Sequence, residues 1–393
     1  MADVNVAGQL DEIEKRIMAG LKDFQRATVN RIDELYRAGQ MRVLVSDEVG
    51  LGKTLIARGT IAKLAKLQKE SGDKLVKVVY VCSNASIAEQ NLNKLRITSE
   101  LKTESTSSSR LSMQHLNIFR QENDTELLNR YIQLIPLTPD TSFRMTSGAG
   151  IVSERALMYA ILRRMPELSM YRKALEVAMA DKAVGQWDGW ARDWYETQVK
   201  ECDKTSGGKY LAYMLDKLSV ELNMRADEDN TVLDMIISMC KQIRSNRYKQ
   251  QNNNAVIGKL RVIFAKISLD KLEPDLVIMD EFQRFKYLIN SDSDTETGML
   301  ANKFFNSSKV RMLLLSATPY KMYSTLEEID ETQVDEHYSE FFDVMNFLNI
   351  SESEKAEFKT VWSDYSVKLK ELSDGDTTCL LYTSPSPRDG ATS

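Results

Sequence analysis

The sequence predicts an α/β fold: a mainly parallel sheet flanked by helices, with a large helical insertion. Three observations carry this. Residues 41–45, 78–82, 275–280 and 312–315 are short, almost continuously apolar runs, the pattern of strands buried on both faces. Stretches with helical periodicity alternate with the strands in the N-terminal part, as strand–helix–strand crossovers require. Finally, residues from 153 to about 272 are almost without strand-like runs and read as successive helices.

Leu10, Ile13, Ile17, Leu21 and Phe24 recur at helical spacing, and Ile32 and Leu35 continue the stripe. A strand over 41–45 follows, then a helix over 55–67 that stops at Ser71-Gly72-Asp73. The strand over 78–82 feeds a helix over 87–95, and 132–137 reads as a further strand with Pro139 at its exit. Ser147-Gly148-Ala149-Gly150 is a flexible turn or, alternatively, a backbone nest for an anion. Within the insertion, breaks are expected near Gly185, Gly207-Gly208 and Asn252 to Asn254. Trp187, Trp190 and Trp194 fall at i, i+3 and i+7, so a regular helix presents them on one face, where core packing is a commoner use than stacking on bases. Lys241, Arg244, Arg247 and Lys249, near Tyr248, form a basic run that reads as a solvated helix face or a phosphate-tracking surface.

The chemistry concentrates at three strand ends. Ser46-Asp47-Glu48-Val49-Gly50-Leu51-Gly52-Lys53-Thr54 lies between an apolar strand and a helix. In that context Gly50 and Gly52 let backbone N–H groups face a phosphate at the helix N-terminus. Lys53 reaches the β/γ-phosphates and Thr54 offers a hydroxyl to Mg²⁺. The generic pattern has glycine where Asp47 stands, and the competing reading is a strand-to-helix turn without a ligand. Asp280-Glu281 ends the strand over 275–280, where one carboxylate can hold Mg²⁺ and the next can orient or deprotonate water. A solvated acidic pair is the alternative. Ser316-Ala317-Thr318-Pro319 ends the strand over 312–315 and, taken alone, is only a turn.

Together these elements resemble superfamily 2 helicases, and Asp47-Glu48-Val49-Gly50-Leu51-Gly52-Lys53-Thr54 is similar to the Swi/Snf branch, especially bacterial RapA-like members, in which an acid at the first loop position is usual. The resemblance implies a RecA-like P-loop domain. It places Gln25 where the family reads adenine, and Ser83-Asn84 where its motif Ia meets the nucleic-acid backbone. It implies that Lys53 and Thr54 handle phosphate and Mg²⁺, that Asp280 holds Mg²⁺ and that Glu281 activates water. Ser316 and Thr318 would couple the state of ATP to nucleic-acid engagement. Motif II continues Phe282-Gln283, whereas the family's common forms have Ala-Asp or Ala-His, which leaves Gln283 without an inherited role. The implied partner is nucleic acid, double-stranded DNA by the habit of this branch, on which members translocate without separating strands.

The chain has 393 residues and a formal net charge of −5, so no global basic footprint marks it for nucleic acid. Its four cysteines are dispersed and its two histidines, His115 and His337, are far apart, which argues against a disulfide frame, a zinc site or Ser-His-Asp catalysis. No secretory h-region or membrane-length apolar run appears, and the expected location is the cytoplasm. The domains read as 1–150 for the first part of the lobe, 151–272 for the insertion, 273–378 for its second part, and 379–393 for a disordered or non-native tail similar to translated adaptor sequence. No second set of helicase motifs follows Pro319, so the second RecA-like lobe, with its arginine finger, is expected to be missing from this sequence. A nucleotide-dependent switch or scaffold acting through a protein partner stays open as the reading from another class. A P-loop kinase would have no reason to combine Gln25, the acidic motif II and Ser316-Ala317-Thr318.

Overall fold

The computed structural model describes residues 2–47, 50–73, 75–83, 85–101, 110–142, 149–226, 229–245, 250–282, 296–305 and 310–316, with a few positions between 347 and 364. Glu48, Val49, Asn84, Ser147, Gly148, residues 247–249, Gln283, Ala317, Thr318, Pro319 and the tail 379–393 lie outside the described residues. The chain divides into two compact units, Met1–Pro319 and Tyr320–Ser393. In the second, the Thr360 hydroxyl donates to the Ala356 carbonyl at 3.0 Å and Phe347 is buried.

The first unit opens with α1 (Ala2–Ala19), α2 (Asp23–Arg37), β1 (Arg42–Ser46), α3 (Lys53–Glu70), β2 (Val76–Val81) and α4 (Ala85–Leu95). It continues with α5 (Gln114–Glu122), α6 (Leu127–Tyr131), β3 (Ile132–Leu137) and α7 (Pro139–Ser142). A helical layer follows: α8 (Val152–Leu162), α9 (Arg172–Ala180), α10 (Val184–Gln186), α11 (Arg192–Thr205), α12 (Lys209–Leu222), α13 (Val232–Arg244) and α14 (Gln250–Leu272). The chain then returns to the sheet through β4 (Leu276–Asp280), α15 (Glu296–Phe305) and β5 (Arg311–Ser316). All five strands are parallel, in the order β1-β5-β4-β2-β3. This is an α/β, RecA-like arrangement, a parallel sheet flanked by helices.

Parallel strands with helices on the sheet must bury both faces, which is why β2 and β3 are buried at every position. β3 closes one end of the described sheet, and there Pro136, paired with Tyr80, can lack an N–H without breaking a second ladder. One core joins α1, α2 and α3 to the sheet through Leu10, Val29, Ile56, Ile61, Val78 and Leu313. The helical layer has its own, built around Leu157, Met158, Trp187, Tyr210 and Phe264, and it also recruits Leu116 and Phe119 of α5.

Three local expectations change. The apolar stripe of α1 stops at Leu21, because the helix ends at Ala19 and α2 restarts at Asp23 with a rotated face: Gln25, Val29, Ile32 and Tyr36 are buried, and Phe24 is exposed. The tryptophans do not share a buried face. Residues Trp187–Ala191 form a π-helical turn, whose extra residue shifts the register, so Trp187 is 1% exposed while Trp190 and Trp194 are 48% and 56% exposed. Asn252 to Asn254 do not break the chain but lie within α14. There the buried Asn253 donates to the Ala178 carbonyl at 2.9 Å, a tertiary bond that overrides its weak helix preference. The glycine pair does break it, Gly207 and Gly208 having φ of 64° and 82° between α11 and α12.

Candidate functional site

In a parallel sheet every strand ends on the same edge, and the registers fix which ends are neighbours. Ser46 pairs with Ser316, and Asp280 with Leu315. The carboxyl ends of β1, β5 and β4 therefore stand side by side, the position at which open α/β sheets bind ligands. One further bond ties the phosphate loop to this edge: the Asp47 N–H donates to the Ser316 carbonyl at 3.2 Å.

The described part of the loop has the backbone that its glycines permit. Gly50 and Gly52 have φ of 89° and 83°, a region in which a residue with Cβ is strained. Gly52 is the N-cap of α3, and its carbonyl accepts from Leu55 N–H at 2.8 Å and Ile56 N–H at 3.2 Å. Lys53 and Thr54 occupy the first turn of α3, where amides have no partner within the helix. The Lys53 ammonium donates to the Asp47 carbonyl at 2.8 Å, drawing the side chain back across the loop.

Gln25 is seated on the same loop. Its Nε2 donates to the Leu51 carbonyl at 2.9 Å, and its Oε1 accepts from the Lys22 N–H at 3.0 Å. A Cβ on Gly52 would come within 2.5 Å of Gln25 Nε2. Gly52→Ala is therefore expected to cost about 1–2 kcal/mol in backbone strain and to push Gln25 off Leu51. Thermal melting and ATP calorimetry check this: unchanged melting and unchanged affinity together would overturn it.

The acids at the end of β4 differ in kind. Asp280 Oδ2 accepts from the Tyr80 hydroxyl at 2.5 Å and from Asn91 Nδ2 at 3.3 Å, and Asn91 Nδ2 also lies 2.8 Å from the Tyr80 hydroxyl oxygen. Burial first, then the Asp280 charge and their hydrogen bond, pushes the Tyr80 phenol far above its usual range, so it stays a donor. Glu281 is exposed and has φ of 53°, one of few non-glycine residues with positive φ among the described residues. Backbone strain of this kind gathers at functional sites. Phe282, the next residue, is fully buried. Ser316 is buried beside Asp47, whereas Thr318 lies outside the described residues.

An Mg²⁺ bound with nucleotide phosphates needs only one or two protein oxygens in near-octahedral geometry. The hard oxygens of Thr54 and Asp280 suit it. Among the described residues no cluster of three His, Cys, Asp or Glu could hold a metal by itself.

Tyr80 and Asn91 escape sequence reading. They lie 200 and 189 residues from Asp280, and only the β2–β4 register, with Tyr80 opposite Ile278, puts them there. Elsewhere, the Gly150 end of the possible anion nest faces a carboxylate: its Cβ position lies 2.3 Å from Glu154 Oε2, and Glu154 is paired with Arg261 at 2.9 Å. The Ala149 and Gly150 carbonyls accept from Arg155. Cys82, Cys202 and Cys240 are buried and form no disulfide among the described residues, and burial pushes the Cys202 and Cys240 thiols up to about 12, away from the reactive thiolate.

The fold is that of an α/β, RecA-like domain, a parallel sheet flanked by helices. Residues 19–135, less than a third of the chain, match the family model described as "Type III restriction enzyme, res subunit", a superfamily 2 helicase ATP-binding lobe. The match takes in Gln25, the phosphate loop, β2, α4 and most of β3, and implies a helicase-like ATP-binding lobe in this chain. No curated protein and no solved structure matches it. No helix among the described residues is long and apolar enough to cross a membrane.

Proposed function

We propose that this chain is the ATP-binding lobe of a nucleic-acid-dependent ATPase of the Swi/Snf-like type, acting in the cytoplasm on double-stranded DNA together with a second RecA-like lobe of a longer polypeptide. The observation that carries the reading is the convergence on one sheet edge of the glycine loop with Lys53, the carboxylate Asp280 and the strained Glu281.

In this reading the amides of the first α3 turn and the Lys53 ammonium bind the β- and γ-phosphates of ATP. Gln25, held by Leu51, presents its amide to adenine. Thr54 and Asp280 would hold Mg²⁺, which when bound would neutralise phosphate charge. Glu281, carried outward by its turn, orients the attacking water and takes its proton. Ser316, whose carbonyl meets the Asp47 amide, and Thr318 just beyond it pass the state of the γ-phosphate towards nucleic acid. The domains follow as 1–150 and 273–378 for the lobe, 151–272 for a helical insertion and 379–393 for a tail outside it.

Phosphoryl-transfer sites of this kind gain roughly 10³–10⁵ in rate from an arginine finger, which the second lobe would supply. The chain by itself is thus expected to bind Mg·ATP and to release phosphate slowly, with no response to duplex DNA. Extending it with the second lobe should restore DNA-stimulated turnover. Steady-state phosphate release with and without duplex DNA tests this. Vigorous DNA-stimulated turnover by the chain alone would overturn the one-lobe reading, and failure of DNA to stimulate the extended protein would favour a nucleotide switch acting through a protein partner.

A further inference from the structure

The Tyr80–Asn91–Asp280 triangle joins three elements: the carboxyl-terminal part of β2, the helix α4 that follows it and the end of β4. Tyr80 is 1% exposed, although it stands in a strand that is otherwise apolar apart from Lys77. A tyrosine kept for packing alone leaves its hydroxyl as a burden that must be hydrogen-bonded. Here the hydroxyl is spent on one carboxylate oxygen, and the Asn91 side-chain amide contacts both the phenol and that same oxygen. Both hydrogen bonds to Asp280 fall on Oδ2. Two donors on one oxygen restrict the rotation of the carboxylate.

We propose that Tyr80 and Asn91 are positioning residues for the metal-holding carboxylate, setting the affinity of the site for the divalent cation that accompanies ATP. The inference rests on the reading of Asp280 as the Mg²⁺-holding acid. Partners that orient a metal-ligating carboxylate typically contribute about 10- to 100-fold in metal affinity or activity. Asn91 sits on α4, so any displacement of that helix is felt at Asp280 through one side chain.

The test is the affinity of the chain for ATP, measured by calorimetry across a series of Mg²⁺ concentrations and in excess EDTA. Wild type should show a Mg²⁺-dependent gain. Tyr80→Phe, which keeps the ring and removes only the hydroxyl, should raise the Mg²⁺ midpoint about tenfold or more. Affinity in EDTA should be unchanged, because the contacts of Lys53 and Gln25 with nucleotide do not pass through Asp280. Asn91→Ala should shift the midpoint in the same direction by a smaller factor. It stands in should Tyr80→Phe fail to fold. A lowered melting temperature with an unshifted midpoint means a structural role only and overturns the proposal. Asp280→Asn separates the two layers. If it abolishes the Mg²⁺-dependent gain while both positioning variants keep the wild-type midpoint, the reading of Asp280 stands and the positioning role fails. If it leaves the gain intact, the reading of Asp280 fails, and the inference with it.

Discussion

Lys53→Ala should remove most of the chain's affinity for ATP. Lys53 is the only basic side chain between Ser46 and Thr54, so nothing else in the loop can bring a cation to the β- and γ-phosphates. Its ammonium now donates to the Asp47 carbonyl at 2.8 Å, a bond within the loop that a phosphate can replace with a charge-assisted one. Hydrogen bonds to charged groups are worth about 1.5–3 kcal/mol net, so the expected loss is roughly 10- to 150-fold in affinity. The loop's backbone should survive, because its conformation is set by Gly50, Gly52 and the Asp47–Ser316 bond. Trp190→Ala, an exposed side chain in the helical layer, is the control that should leave affinity unchanged. Equal affinity of wild type and Lys53→Ala by calorimetry would mean that the loop does not cradle phosphate.

The strands were legible because burial on both faces writes a continuous apolar run into the sequence, whatever the partner strand. The glycine loop was legible because its pattern is local: two glycines, a lysine and a threonine fall within a single strand-to-helix turn. What sequence could not carry was anything decided by register between distant segments. Tyr80 meets Asp280 only because β2 pairs with β4. Gln25 was placed by resemblance, yet its seat on Leu51 depends on α2 restarting after α1, a two-helix break that a continuous apolar stripe conceals. The tryptophans went wrong for a related reason. Helical spacing assumes 3.6 residues per turn, and the π-helical turn over Trp187–Ala191 breaks that assumption where it mattered.

Acid should weaken the helical layer through His115. The imidazole is fully buried, stacked on Tyr210 with Phe264 beside it, and its Nδ1 lies 3.0 Å from the Tyr210 hydroxyl. Burial, opposed by a backbone hydrogen bond at Ser112, pushes its pKa down to about 3. The sign follows from which state takes up the proton. Below pH 6.5 the unfolded chain protonates this histidine while the folded chain refuses until about pH 3, so protons favour unfolding across that interval. The contribution to stability is fully present above pH 6.5 and is lost as the pH falls. At 1.36 kcal/mol per pH unit the whole interval amounts to roughly 5 kcal/mol, comparable to the entire stability of many domains. The measurement is denaturant unfolding at a series of pH values for wild type and His115→Gln, which keeps a neutral side chain able to meet Tyr210. The variant is expected to be less stable at pH 7.5, because its packing against Phe264 and Tyr210 is poorer. It should nevertheless lose less stability between pH 6.5 and pH 4 than wild type, by about 1 kcal/mol or more per pH unit. Other titrating groups are common to both proteins and cancel in the difference. Parallel stability curves for the two proteins over this range would show that the core admits the charged ring, and that the helical layer around His115 opens to water far more readily than its packing implies.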